Sequence, residues 1–80
     1  MNYSVEEFLS WRGYKKIGEG SGKAEWISEL TDTVVVALTI PGAEDQVLIL
    51  KSGDFSHKIL PDFSNFDFLV NAIMLSRLSK

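Results

Sequence analysis

Cysteine is absent from the 80 residues, so no disulfide and no thiolate metal site can form. A single histidine, His57, excludes a histidine-rich metal centre. Small domains lean on disulfides, metals or partners for part of their stability. With the first two removed, association is the staple that remains. The missing cysteine also fits a reducing compartment. Positive charge is in deficit: Lys and Arg total 8 against 11 Asp and Glu, a net charge of −3. That balance argues against nonspecific nucleic-acid binding, which needs clustered Lys and Arg, and it is too small for a mimic of DNA charge. No apolar run approaches the roughly 20 residues that span a bilayer. The opening MNYSVEEFLSW carries acids and no basic n-region, so it does not read as a signal peptide. The expectation is a soluble, cytoplasmic protein.

What is present suffices for one core. The apolar content is 45% and the charged content 24%, and the length accommodates a single domain over 1–80. Ser4-Val5-Glu6-Glu7 is a capping box, flanked by Tyr3 and Phe8 as a hydrophobic staple. Val5, Phe8 and Leu9 form a stripe, and Gly13 stands where a left-handed C-terminal cap belongs. These signals predict a helix over 5–12, with Trp11 projecting off the stripe.

The glycine-rich stretch Gly18-Glu19-Gly20-Ser21-Gly22-Lys23 invites a phosphate-binding reading. It fails the Walker pattern: counted from Gly18 the lysine comes one position early, and Ala24 stands where a magnesium-binding hydroxyl is needed. It fails the dinucleotide pattern too, with Lys23 in place of the third glycine. IGEGSGK is similar to the glycine-rich loop of protein kinases, yet 80 residues cannot hold the catalytic loop and second lobe that such a loop serves. A turn is expected here, after a short strand at 14–17.

Strands are expected at about 23–30, 33–40, 46–51 and 55–60, the last stopped by Pro61. A turn at Ser52-Gly53 sets Lys51 against Asp54, Leu50 against Phe55 and Leu48 against His57. A five-residue loop over 41–45 sets Ile40 against Gln46. One face then gathers Val34, Val36, Leu38, Ile40, Leu48, Leu50, Phe55 and Ile59 as core. The other is mixed, with Val35, Ala37, Thr39, Val47, Ile49, Ser56 and Lys58. The register of the first long strand is open by one residue, so either Trp26 or Ile27 points inward, with Trp26 favoured.

A second helix is expected over 65–78, with Ser64 as N-cap and Asp67 three residues on. Phe66, Leu69, Val70 and Ile73 share one stripe, while Phe68, Ala72 and Leu75 lie nearly opposite and Met74 and Leu78 on the flank. A helix with water on its outer side needs one stripe only. Either the first helix covers the second stripe, or that stripe is a contact surface. The fold class is thus α+β: an N-terminal helix, an antiparallel meander of three to four strands and a C-terminal helix.

Chemistry finds little footing. Asp54-Phe55-Ser56-His57 holds the residue types of a triad, but Ser56 and His57 alternate across one strand and cannot meet. Asp62 with Asp67, or Glu44 with Asp45, could pair as carboxylates, but charges near turns and caps are usually solvated. No cofactor is implied, and the reading is non-enzymatic. The leading function is a small protein-interaction module, of a size that suits an inhibitor or adaptor of a larger protein. Its contacts are Phe68, Ala72, Leu75 and Leu78, with Trp11 and Tyr14 as aromatic anchors. The partner is another protein or a second copy, as in a homodimer. The alternative is single-stranded nucleic-acid binding by Arg12, Lys15, Lys16 and Lys23 beside Trp11 and Tyr14.

Overall fold

The structure is a computed structural model that describes residues 3–42 and 46–79. The chain begins with α1 (Val5–Trp11), whose capping box forms as the sequence demands: the Ser4 hydroxyl accepts from the Glu7 N–H and the Glu7 carboxylate accepts from the Ser4 N–H, each at 3.1 Å. Tyr3 and Phe8 stack with centroids 5.8 Å apart, completing the staple. Arg12 caps the helix, and Gly13 follows at φ +85°, a conformation open to glycine without a Cβ clash.

Five antiparallel strands follow in simple meander order: β1 (Lys15–Gly20), β2 (Lys23–Ser28), β3 (Thr33–Thr39), β4 (Gln46–Ser52) and β5 (Phe55–Ile59). The α+β class holds, with one strand more than expected. The extra strand is β1, which runs on from Lys15 through Gly18-Glu19-Gly20 instead of stopping at residue 17. It tolerates its glycines because β2 supplies the ladder, with a bulge between Lys16 and Gly18. The β1–β2 turn is Ser21-Gly22, with φ +50° and +77°. Positive φ at both central residues is the type I′ pattern that suits strand twist.

Two registers differ from expectation. The β4–β5 turn is Gly53-Asp54, so Ser52 faces Phe55 and Leu50 faces His57. Gly53 takes φ +56°, the first position of a type II′ turn, which the expected Ser52-Gly53 turn would have given to serine. This slip displaces the pairing by two residues, so every side chain keeps its face. The β3–β4 slip does not. Thr39, not Ile40, faces Gln46. The connection takes six residues, 40–45, and Ile40 falls outside the ladder. A one-residue slip inverts β3. Thr33, Val35 and Ala37 therefore enter the core, whereas Val34, Val36 and Leu38 face the other way.

The core lies between one sheet face and both helices. Ala24, Trp26, Val35, Ala37, Leu48, Leu50 and Ile59 of the sheet meet Phe8 and Leu9 of α1 and Phe66, Leu69 and Ile73 of α2 (Phe66–Leu78). Each fully buried side chain of this size contributes about 1.5–3 kcal/mol. Trp26 is the inward residue of β2, opposite Val35. Phe63, which sequence reasoning overlooked, stacks on Phe8 at 4.1 Å between centroids, and Phe66 meets Phe8 edge-on at 5.1 Å. Phe63 reaches this position by adopting φ +60°, a conformation unusual for a bulky residue.

The α2 N-cap is Asn65, not Ser64. The Asn65 side chain does not cap. Its Oδ1 accepts from the Leu60 N–H at 2.9 Å and its Nδ2 donates to the Lys58 carbonyl at 3.1 Å, tying the helix start to the end of β5. At the other end Arg77 donates to the Thr31 and Asp32 carbonyls and to the Ser52 hydroxyl, fixing α2 to the β2–β3 loop and to β4. Arg12 and Asp67 form a two-point ion pair at 3.2 and 3.1 Å, linking the C-terminal end of α1 to the first turn of α2.

Candidate functional site

Because both helices lie on one sheet face, two apolar surfaces are left without a covering element among the described residues. The first is the outer side of α2. Phe68 is 72% exposed, Leu75 64% and Leu78 81%. Ala72 between them is half-buried, and Met74 is exposed on the flank. The inward stripe is the expected one, Phe66, Leu69 and Ile73 buried with Val70 packed against them. Helix α1 does not cover the outward stripe. It packs through Phe8 and Leu9 against the core, and Arg12 meets Asp67 at the start of α2.

The second surface is the far face of the sheet. Ladder pairing sets its residues in three rows. Lys15, Ile27, Val34, Lys51 and Ser56 form the first. Gly18, Glu25, Val36, Ile49 and Lys58 form the second. Gly20, Lys23, Leu38 and Val47 form the third. Val36 is the floor, only 6% exposed, while Ile27, Val34, Leu38, Val47 and Ile49 are half-buried. An open groove of about 460 Å³ runs over Val34, Val36, Leu38 and Ile49, with Lys23, Glu25, Lys51 and Asp32 among its walls. Sequence reasoning found Val47 and Ile49 here but assigned Val35 and Ala37 in place of Val34, Val36 and Leu38. The available signal was the run Thr33–Thr39, apolar at both parities, which requires cover on two sides.

Of the two aromatic anchors, Trp11 is 62% exposed, resting edge-on against Tyr3 at 5.4 Å. Tyr14 is a correction. It is 6% exposed, and its hydroxyl is hydrogen-bonded to the Thr33 hydroxyl at 2.5 Å, so it belongs to the core. A residue just before a strand and after a helix cap is drawn inward when its ring meets Phe66, here at 5.8 Å.

The basic segment does not converge. Arg12 is held by Asp67 and lies 4.5 Å above the Phe8 ring. Lys16 sits over Trp26 at 5.6 Å and pairs with Glu19 at 3.0 Å. Lys15 and Lys23 point to the far sheet face, where Lys23 pairs with Glu25 at 3.6 Å. With Tyr14 buried, no basic and aromatic platform forms from these residues.

The glycine stretch is a tight hairpin rather than a cradle. The Gly22 carbonyl accepts from the Thr39 N–H at 2.7 Å, and Lys23 turns toward Glu25. Ser56 and His57 occupy opposite faces, as alternation requires: Ser56 pairs with Lys51 and His57 with Leu50. His57 is exposed on the edge strand β5, stacked on Phe55 at 6.3 Å, with Nδ1 2.9 Å from the Lys58 carbonyl oxygen. Asp62 and Asp67 do not pair. Asp67 holds Arg12, while the Ser64 hydroxyl and then the Ser64 N–H, at 3.0 Å, hold the Asp62 carboxyl below its ordinary value. Glu44 and Asp45 lie outside the described residues.

Among the described residues no helix is long and apolar enough to cross a membrane. Compared with protein families, curated proteins and solved structures, the chain matches none. The functional reading therefore rests on the two uncovered surfaces.

Proposed function

We propose that this chain is a small, non-enzymatic protein-interaction module that binds through the outer side of α2, and that a second copy of the chain is the occupant of that side. One observation carries the reading. Phe68, Leu75 and Leu78 repeat along a single helix face and stay largely exposed, although the core already has its own complete stripe. Water on such a face costs about 25 cal/mol for every Å² left unburied.

The choice of a second copy follows from charge. A two-fold interface uses the same patch on both copies, residue i against j and j against i, so an apolar patch without charge is complementary to itself. Phe68, Ala72, Leu75 and Leu78 carry none, in a chain with net charge −3. Small size adds a reason, since an 80-residue core without disulfides gains much from association. Trp11, at the end of α1, is a further exposed apolar side chain. An inhibitory or adaptor role in the cytoplasm would follow if the paired form presents its remaining surface to a larger protein.

Light scattering over a hundredfold concentration range tests the pairing. The wild-type chain is expected to approach twice the monomer mass, and Phe68→Asp to remain a folded monomer. A wild-type chain that stays monomeric throughout refutes self-association. A Phe68→Asp chain that still dimerises moves the interface off α2.

A further inference from the structure

The far sheet face differs from the α2 stripe in its charge: four lysines against two carboxylates stand around its apolar centre, a net positive excess. Lys15, Lys51, Lys58 and Lys23 stand around Ile27, Val34, Val36, Leu38, Val47 and Ile49. The carboxylates there are Glu25, paired with Lys23, and Asp32 at the groove edge beside Ser52. Half of the chain's 8 basic residues thus gather on one face of a protein with 11 acids. Such a face repels a copy of itself, and it attracts an acidic surface.

We infer that this face is a docking site for an acidic amphipathic helix of another protein. The three rows span about 13 Å along the strands, and five strands span about 19 Å across them. A helix of about 10–12 Å diameter fits lengthwise across that breadth. Its apolar side chains would fill the groove over Val34, Val36, Leu38 and Ile49. Its glutamates and aspartates, one turn to either side, would meet the lysine ring. Lysine stems lie along apolar surface while their ammonium groups reach outward, so the ring closes on the helix without leaving charge buried. Single-stranded nucleic acid shares the negative charge but asks for stacking rings. The residues of the three rows include none: Trp26 and Phe55 both belong to the opposite face.

The inference is independent of α2 pairing, and its test reads a different surface. The probes are an amphipathic leucine–glutamate peptide of about four helical turns, the same peptide with lysine for glutamate, and a thymine oligonucleotide of similar charge. Amide spectra of the full chain follow each titration. The acidic peptide is expected to shift the amides of β2, β3 and β4 around Glu25, Val36 and Ile49, and to weaken severalfold as salt rises to physiological strength. The double variant Lys51→Glu, Lys58→Glu, checked for an unchanged folded spectrum, should bind it at least about tenfold more weakly. Phe68→Asp should bind it as the wild type does. Equal binding of the lysine peptide, no binding of the acidic one, shifts centred on α2, or a stronger response to the oligonucleotide would each overturn the inference.

Discussion

Gly22 shows how one residue fixes a strand pairing. Its φ of +77° favours glycine, and a Cβ there would lie 3.4 Å from the Thr39 carbonyl oxygen. The sequence marks this stretch as a turn, but not as the two-residue hairpin that lets β1 extend through Gly20. Gly22→Val is expected to destabilise the fold by about 1–2 kcal/mol, because a β-branched side chain is strained at positive φ. Urea unfolding measures it. Phe63 makes the opposite case: an ordinary side chain accepts φ +60° because its ring stacks on Phe8. Nothing in the local pattern Pro61-Asp62-Phe63-Ser64 announces that ring as core. Asp62, in the same loop, gives a pH prediction. Its folded carboxyl is held below the ordinary 3.8 by Ser64, so the deprotonated form favours the folded loop. That contribution is complete above pH 3.8 and is lost as pH falls through the lower folded value. The Asp62 carboxyl titration followed by NMR should have its midpoint below that of Asp62 in the unfolded chain, and Ser64→Ala should raise it.

At the scale of elements, legibility depended on whether a segment had one apolar face or two. Helix α1 had one stripe, a capping box and a terminal glycine, and it was legible to within a residue. Strand β4 alternated against β5 well enough that a misplaced turn left every face correct. Strand β3 had no such guide. Val34, Val35, Val36, Ala37 and Leu38 are apolar in both directions, so only the unreadable length of the 40–45 connection could set its parity. The same ambiguity in α2 had the opposite outcome, for both its stripes were legible and the structure shows which is core. Leu69→Ala should therefore cost about 2–4 kcal/mol through the cavity it opens. Phe68→Asp should leave the stability of the monomer within about 0.5 kcal/mol of the wild type, as surface substitutions do. Thermal unfolding at a concentration low enough to exclude association separates the two.

At the scale of the molecule, a single sheet with both helices on one side leaves two surfaces of distinct character, on opposite sides of the core. One is apolar and uncharged, suited to its own copy. The other is apolar and ringed with lysine, suited to an acidic helix. Residue counting anticipated that two helices could not cover both sheet faces and each other, and that much of the site was legible. The lysine ring was not, because Lys15, Lys23, Lys51 and Lys58 converge only through the strand registers. Read along the chain, the first two belonged to a basic N-terminal cluster with Arg12 and Lys16, which the structure disperses. The most direct measurement of the α2 proposal is a dilution series followed by amide spectra. If α2 pairs with its copy, the concentration-dependent shifts will centre on Phe68, Ala72, Leu75 and Leu78 and vanish in Phe68→Asp. Spectra that do not change with concentration, or shifts centred on β3 and β4, would contradict it.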